Sequence, residues 1–277
     1  MIDRCGELNE NLNRQNRYPL LLTGTIKPGN NCSEERVKER LLEYEQSIGK
    51  YICTTRFNPV VFIENSGYEF DVCRFERMAR EKNKTFEFIR GTSCEKEVEL
   101  HGKGYGDGLL IYEGLSKSNL LKDAPFFYKM TGRIFLKNSD DMLKSCNKHR
   151  NEFISYDGMG WCITYFFKAN KKDYLDVLGN IFSDCDDKSR RDLEICTWLR
   201  LQKSDLDVGS FDNYPDIDGK MGDSNILYTK SKMEHKIRTV MIKLGIFTMN
   251  SKMSSLFWKI YRIVTKRQPY ATRNEII

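Results

Sequence analysis

The chain has 277 residues, of which 40% are hydrophobic, 12% aromatic and 30% charged, with a formal net charge of +6 at pH 7. This composition is ordinary for a soluble globular protein, and the high aromatic content argues against a disordered chain. Since there is no run of about 18 apolar residues, no transmembrane helix is expected.

The positive charge is concentrated at the end of the chain. Residues 230–277 hold eleven Lys/Arg against Glu234 and Glu275, a balance of +9, so the remaining residues sum to −3. This distribution argues against a nucleic-acid-binding protein and favours one locally basic surface. The polar N-terminus lacks an apolar segment, so no signal peptide is expected. Nine cysteines without a CxxC pair indicate reduced thiols in a cytoplasmic protein, with a disulfide scaffold or a zinc site as the alternatives.

Hydrophobic periodicity predicts strands that alternate with helices. In chain order the first half has a strand at 18–22, a helix at 34–54 capped by Ser33, a strand at 59–63, a helix at 70–82 and a strand at 85–90. The second half has a glycine-rich turn at 102–108, helices at 109–121, 140–148, 171–182 and 190–201, and strands at 126–130, 153–156 and 160–167. This order predicts an α/β fold with a sheet that is mostly parallel at its start.

Three predicted strands end in small, polar or charged residues. In open α/β sheets ligands bind at the carboxyl ends of the strands, and these ends carry Thr23, Gly24, Thr25, Glu64, Asn65, Ser66, Lys129, Thr131, Gly132 and Arg133. A lysine inside an aromatic strand, as at Lys129, needs a partner or a ligand. The glycine-rich turn, with Lys103, Gly104 and Gly106, is suited to hold a phosphate at the start of a helix; an ordinary flexible loop is the alternative.

The order of these motifs resembles a known family. TGTI at 23–26, ENSGYEF at 64–70, KGYGDG at 103–108 and FFYKMTGR at 126–133 resemble small bacterial glycosyltransferases of capsule and O-antigen loci, which are similar to the GT-A class. The resemblance covers 18–205 and implies a single nucleotide-sugar-binding domain over 1–205. It implies transfer of a sugar from a nucleotide-sugar donor, foremost a UDP-sugar, to a hydroxyl of a glycan or lipid-linked oligosaccharide.

One departure from that family concerns the metal. GT-A enzymes typically carry Asp-x-Asp at the end of a central strand, where this chain has Lys129 to Arg133. Lys129 and Arg133, helped by Lys103, are therefore predicted to neutralise the diphosphate directly. No cofactor or metal ligand is assigned, and a divalent cation (Mn²⁺ or Mg²⁺) at Asp216-Ile217-Asp218 is the disfavoured alternative.

Glycosyl transfer with inversion needs a group that accepts the proton of the acceptor hydroxyl. Asp157 follows a predicted strand and is the first candidate, although Asp157-Gly158 is equally a turn signal. Glu194, on an apolar helix, is the second, with the solvated edge of that helix as the alternative.

The last part of the chain is divided into a loop and acceptor-side segment at 206–250 and a basic amphipathic tail at 251–277. A helix at 252–267 places Lys252, Lys259, Arg262 and Lys266 on one face and Met253, Phe257, Ile260 and Val264 on another. Leu256 and Trp258 lie near the borders, and Ile263 lies on the basic side. The pattern predicts a peripheral protein at the inner face of the cell membrane; packing of this helix on its own domain is the alternative. A non-catalytic α/β module that binds a phosphorylated ligand or an anionic surface is the alternative function.

Overall fold

A computed structural model describes residues 18–29, 32–144, 147–221, 226–272 and 275, and it centres on a seven-stranded sheet. The described strands are β1 (Leu20–Gly24), β2 (Val60–Glu64), β3 (Phe86–Arg90), β4 (Phe126–Thr131), β5 (Phe135–Leu136), β6 (Asn151–Glu152), β7 (Ser155–Tyr156), β8 (Trp161–Cys162), β9 (Phe166–Asn170), β10 (Val208–Gly209) and β11 (Ile217–Asp218). The sheet order is β10-β6-β9-β4-β1-β2-β3, and the pairs β5/β11 and β7/β8 form two small separate sheets.

Helices cover both faces of the central sheet. The described α-helices are α1 (Glu34–Thr54), α2 (Val72–Glu81), α3 (Glu95–His101), α4 (Lys103–Lys117), α5 (Ser139–Lys144), α6 (Lys171–Leu178), α7 (Leu193–Lys203), α8 (Lys232–Lys243) and α9 (Lys252–Thr265). The predicted α/β class is therefore confirmed. The start of α1 is also as predicted, because the Ser33 hydroxyl accepts a hydrogen bond from the backbone N–H of Arg36.

The first four strands in chain order, β1 to β4, form a parallel part of the sheet. β1 pairs in parallel with both β2 and β4, so that Leu21 lies opposite Val61 on one side and Lys129 on the other. The chain builds β1, β2 and β3 outward and then crosses back to place β4 on the other side of β1. β9 is antiparallel to β4. The predicted parallel start of the sheet is thus confirmed.

The pleat divides the core into two clusters, one on each face of the sheet. Leu20 and Leu22 pack with the buried side of α1, whereas Leu21 packs with α4 and α7. Lys129 alternates with Tyr128 and Met130 along β4, so its side chain leaves the sheet on the α4 face.

The glycine-rich segment is not a turn, and that prediction is wrong. Gly104, Gly106 and Gly108 lie within α4, and the break in the helix falls at Gly102, whose φ of 95° ends α3. The glycines serve close packing instead. A Cβ on Gly104 would lie 2.8 Å from the backbone nitrogen of Leu193, so the absence of a side chain lets α4 approach the start of α7.

Three other expectations are corrected. The strand predicted at 160–167 is interrupted, so that β8 and β9 belong to different sheets. The segment predicted as a loop contributes β10 to the central sheet and buries Phe211 and Tyr214. The helices α3 and α8 were not predicted, because their apolar residues are mostly exposed and give a weak core-facing pattern.

The tail helix α9 packs on the domain through one face. Trp258 is only 6% exposed and donates a hydrogen bond from Nε1 to the carbonyl of Ile246 at 3.0 Å. The prediction that Trp258 lies near the border of an exposed, membrane-facing side of this helix is therefore wrong. Met253, Leu256, Ile260, Ile263 and Val264 remain exposed on the other side of the helix.

Two smaller findings concern membranes and thiols. Within the described residues, no helix combines the length and the apolar character needed to cross a bilayer. The seven described cysteines are all free, including the buried pair Cys185 and Cys196.

The close approach of α4 to α7 can be tested with Gly104→Ala. The added Cβ meets backbone, which cannot move aside as a side chain can, so the free energy of unfolding should fall by about 1–3 kcal/mol. Gly49→Ala is the matched control, because a Cβ there has its nearest neighbour, Met78 Cε, at an ordinary 3.5 Å; helix propensity should make it neutral or stabilising by up to about 1 kcal/mol. Urea denaturation measures both, and equal midpoints would contradict the packing role of Gly104.

Candidate active site

The strand order places a crevice at the carboxyl ends of β1 and β4. The chain passes from β1 to β2 and β3 on one side of β1, and it then crosses from β3 back to β4 on the other side. Open α/β sheets bind ligands at such a topological switch point. Thr23 and Thr131 are paired across these two ends. The predicted ligand edge therefore coincides with a switch point.

A polar cluster lies on the α4 side of this edge, with Thr23, Lys129 and Thr164 buried and its two acids half-buried. The Lys129 ammonium, which is fully buried, donates to Asp107 Oδ2 at 2.6 Å and to the Thr164 carbonyl at 3.0 Å. Thr23 donates from Oγ1 to the other Asp107 oxygen at 2.7 Å. Thr164 Oγ1 donates to Glu194 Oε1 at 2.6 Å. We call these five residues, Thr23, Asp107, Lys129, Thr164 and Glu194, the edge cluster.

Glu194 has an unusual pKa within the edge cluster. Burial, and then the negative charges of Asp192 and Asp107, raise its pKa to about 7, while the hydrogen bond from Thr164 opposes the shift. A carboxyl group with this pKa is present in both protonation states near neutral pH. It can therefore accept a proton from a substrate and later release it.

Asp107 keeps part of its carboxylate in contact with solvent, with 31% of the side chain exposed, although its partner Lys129 is fully buried. The positive charge of Lys129, which was predicted to bind a diphosphate, is therefore already balanced by Asp107. A ligand at this edge would meet the Asp107–Lys129 pair as a unit rather than a free ammonium.

The α1 side of the edge holds two guanidinium groups. Arg40 donates from Nε to the Ile26 carbonyl at 3.1 Å and from Nη2 to the Thr25 carbonyl, which shapes the loop after β1. Arg133 is 7% exposed and donates from Nη1 to Glu43 Oε2 at 2.7 Å. Its pKa is raised because nearby Tyr44 and Glu43 outweigh the opposing effect of burial.

The predicted residues at the end of β2 connect loops to one another. The buried Glu64 accepts hydrogen bonds from the backbone of Ile26 at 3.0 Å and of Ser66 at 2.8 Å, and it pairs with Arg90 at 3.0 Å. Asn65 accepts from Thr25 Oγ1 at 2.7 Å. These contacts hold the loops after β1 and β2 together beside the switch point.

The glycines of the prediction have different roles. A Cβ on Gly24 would lie 2.6 Å from the ring of Tyr44, and one on Gly132 would lie 3.1 Å from the Thr23 carbonyl, so both serve close packing at the strand ends. Gly104 and Gly106 lie in α4, where they face Leu193 and Val98. Lys103 is exposed at the first position of α4.

The hydrogen-bond partners of Asp157 lie outside the edge cluster. It is 5% exposed and accepts hydrogen bonds from Trp198 Nε1 at 3.1 Å and Gln202 Nε2 at 2.7 Å, so it ties the segment after β7 to α7. The structure therefore joins Glu194 with Lys129 and Thr23, and it places Asp157 against a different part of α7.

Sequence reasoning missed Asp107, Thr164 and Arg40. Asp107 lies within the KGYGDG motif, and its helical spacing from Leu110, Ile111 and Gly114 was a usable signal for one face of a helix. Thr164 acts through both its carbonyl and its hydroxyl, a role that composition does not reveal.

In the described part of the chain, no three or more His, Cys, Asp or Glu side chains are grouped so as to hold an ion. Asp216 pairs with Lys137 at 2.9 Å and Asp218 with Lys50 at 3.5 Å, where β11 lies beside β5.

The chain matches no protein-family model and no curated protein sequence. Among solved structures it is similar to a proposed nucleotide-diphospho-sugar transferase from Desulfovibrio desulfuricans, at 12% identity over 69% of this chain and 78% of that chain, with a TM-score of 0.44. It is also similar to a cytidylyltransferase from Leptospira borgpetersenii, at 13% identity over 90% and 95% of the two chains, with a TM-score of 0.36. Similarity at this level identifies neither a family nor an activity.

The ion pair in the edge cluster can be tested through stability. Asp107→Ala leaves the buried Lys129 ammonium without its carboxylate, so the free energy of unfolding should fall by about 3 kcal/mol. Replacing both residues by apolar ones (Asp107→Leu with Lys129→Met) should restore much of that loss, because no unpaired charge remains buried.

The exposed pair Lys172–Asp176, at 2.7 Å with side chains 87% and 58% exposed, gives the matched control. Asp176→Ala should cost no more than about 0.5 kcal/mol. If urea denaturation finds Asp107→Ala as mild as Asp176→Ala, the ammonium is solvated and the pair is not buried.

Proposed function

We propose that this protein is a glycosyltransferase that moves a sugar from a nucleotide-sugar donor to a hydroxyl of a glycan or lipid-linked oligosaccharide in the synthesis of a bacterial surface polysaccharide. The observation that carries the proposal is the edge cluster at the switch point, where an acid with a pKa of about 7 lies beside a buried ion pair. The motif order of a nucleotide-sugar glycosyltransferase supports it from the sequence.

The donor is proposed to lie across the ends of β1 and β4. Arg40 and Tyr44 hold the loop after β1 in place, and the backbone N–H of Thr25 donates to the Tyr44 hydroxyl at 2.9 Å. The backbone of this loop is proposed to contact the nucleoside. The diphosphate would lie toward Thr131, Gly132 and Arg133. A UDP-sugar is the donor proposed first.

Glu194 is proposed as the general base. In the reaction the acceptor oxygen forms a bond to the anomeric carbon, the bond from that carbon to the diphosphate oxygen breaks, and the nucleoside diphosphate leaves with the electron pair. The acceptor proton passes to the Glu194 carboxylate. Thr164 orients this carboxylate through its 2.6 Å hydrogen bond.

Asp157 is the weaker candidate for the base. Its Oδ1 atom already accepts two hydrogen bonds from α7, and a base must also reach the reacting proton. The Glu194 environment, with its raised pKa and its link to the ion pair, favours that residue instead.

A nucleotide-sugar screen is the direct test of the proposal. A donor at one hundred times its dissociation constant stabilises the folded state by about 2.7 kcal/mol, and roughly 5 °C or more of thermal shift is expected for a chain of this size. The same donor should then be hydrolysed slowly to nucleoside diphosphate and free sugar. Binding without turnover of any donor would favour the non-catalytic module, and no shift with any nucleotide would overturn donor binding itself.

The role of Glu194 predicts a pH profile. As a base it must be ionised, so kcat/KM should rise with pH through about 7 and then level off. Glu194→Gln should remove this limb and lower kcat by at least 100-fold, on the order of what a general base contributes. Because the folded-state pKa lies above the ordinary 4.5, the stabilisation from neutral Glu194 is present below 4.5 and is lost as the pH rises through 7.

Glu152 offers a matched control for that profile. Burial raises its pKa to about 7 as well, but it pairs with Lys168 at 3.7 Å on the other side of β9. Glu152→Gln should keep the rising limb and most of the activity. If the rising limb disappears in Glu152→Gln and persists in Glu194→Gln, the assignment of Glu194 as the general base is wrong.

Metal dependence is a separate prediction. Because the central strand ends in Lys-Met-Thr-Gly-Arg where the resembling family has Asp-x-Asp, activity should survive excess EDTA. Loss of turnover with EDTA, restored by Mn²⁺ or Mg²⁺, would contradict this. In that case Asp216→Asn and Asp218→Asn would show whether that pair holds the ion.

A further inference from the structure

Exposed apolar side chains are concentrated on two helices near the end of the chain. Of the 17 large hydrophobic residues that the described part of the protein exposes, ten lie between Met233 and Tyr270. On α8 and its end they follow helical spacing at Met233, Ile237, Val240 and Leu244, and on α9 they do so at Met253, Leu256, Ile260, Ile263 and Val264. Each helix therefore has a continuous apolar stripe turned to solvent.

Lysines lie along the same side of both stripes. An exposed lysine directly precedes the apolar residue in five places: Lys232-Met233, Lys236-Ile237, Lys243-Leu244, Lys252-Met253 and Lys259-Ile260. Because both helices are right-handed, this repeated order puts the ammonium groups on the same flank of each stripe. Glu234 is the one acid in the sequence from 230 to 272.

The opposite faces of the two helices are anchored, so the stripes are not misplaced core. Trp258 and Ser254 of α9 both donate to the Ile246 carbonyl, at 3.0 and 2.7 Å. Arg238 of α8 donates to the Tyr156 hydroxyl at 3.2 Å and to the Tyr214 hydroxyl at 3.3 Å. A cavity of about 440 Å³ lies between the helices, and Ile237 of the α8 stripe lies on its wall.

We propose that α8 and α9 together form a membrane-binding face for anionic phospholipid. The stripes enter the boundary between headgroups and acyl chains, and the flanking lysines contact lipid phosphates. A second copy of the chain is the other candidate partner for this face. Symmetric pairing would bring two strongly basic surfaces together, whereas an anionic bilayer complements their charge. The inference does not depend on the proposed transferase activity.

The test is co-sedimentation of the full chain with vesicles of phosphatidylcholine, with and without phosphatidylglycerol. Binding is expected only with phosphatidylglycerol, and salt should weaken it because the Debye length shortens from about 8 Å to about 3 Å at 1 M. Ile263→Ser with Val264→Ser, at positions 70% and 75% exposed, should weaken binding at least tenfold. Replacing Lys252, Lys259 and Lys266 by Gln should weaken it by roughly 100-fold, at about 1 kcal/mol for each lysine.

Matched controls come from other exposed residues. Leu42→Ser with Leu100→Ser alters two apolar positions, 53% and 55% exposed, on α1 and α3, and Gln at the exposed Lys82, Lys96 and Lys122 removes the same charge elsewhere. Both controls should bind as the unaltered chain does. The proposal is overturned if the intact chain does not sediment with phosphatidylglycerol vesicles, or if controls and test variants bind alike. It is also overturned if sedimentation velocity shows a dimer that Ile263→Ser with Val264→Ser dissociates.

Discussion

The buried ammonium of Lys129 is the constraint on which the centre of this structure depends. A charge in the middle strand of an apolar sheet is tolerated only with a partner, and Asp107 meets it at 2.6 Å from a helix on one face of that sheet. To bring Asp107 that close, α4 must lie near both the sheet and α7, and the glycines of α4 leave the room for this. One ion pair thus connects β4, α4 and, through Thr164, the acid on α7.

Parallel pairing turns this local constraint into a site. Because β1, β2 and β4 run in the same direction, their polar ends meet at one edge, and the crossing from β3 back to β4 opens a crevice there. The ion pair and Glu194 lie on one side of the crevice, and Arg40 and Arg133 on the other. The crevice thus has the titratable Glu194 on one side and two guanidinium groups on the other, of which Arg133 is paired with Glu43.

The C-terminal helices follow a different physical rule from the centre. The strands β1, β2 and β4 bury their large apolar side chains and β4 pairs its lysine with Asp107, whereas α8 and α9 bury one face and leave an apolar stripe beside lysines. Covering such a surface lowers the free energy, because apolar area is then removed from water. The proposed chemistry at the edge of the sheet and the proposed membrane attachment through α8 and α9 therefore involve separate parts of the molecule.

Short-range patterns in the sequence determined the strands 18–22, 59–63 and 126–130, the cap and length of α1, and the polar strand ends, because each is encoded within a few neighbouring residues. The same patterns misassigned Gly104 to a turn and Trp258 to the border of a membrane face. Both errors have one cause: whether a glycine lies in a helix, or an indole in the core, depends on what packs against it, here Leu193 and Ile246. Only the tertiary structure paired Lys129 with Asp107 and chose Glu194 over Asp157 as the acid beside that pair. Those contacts join residues 22 to 35 positions apart, and the packing of α4 and α7 on the sheet, which no local pattern encodes, brings them together.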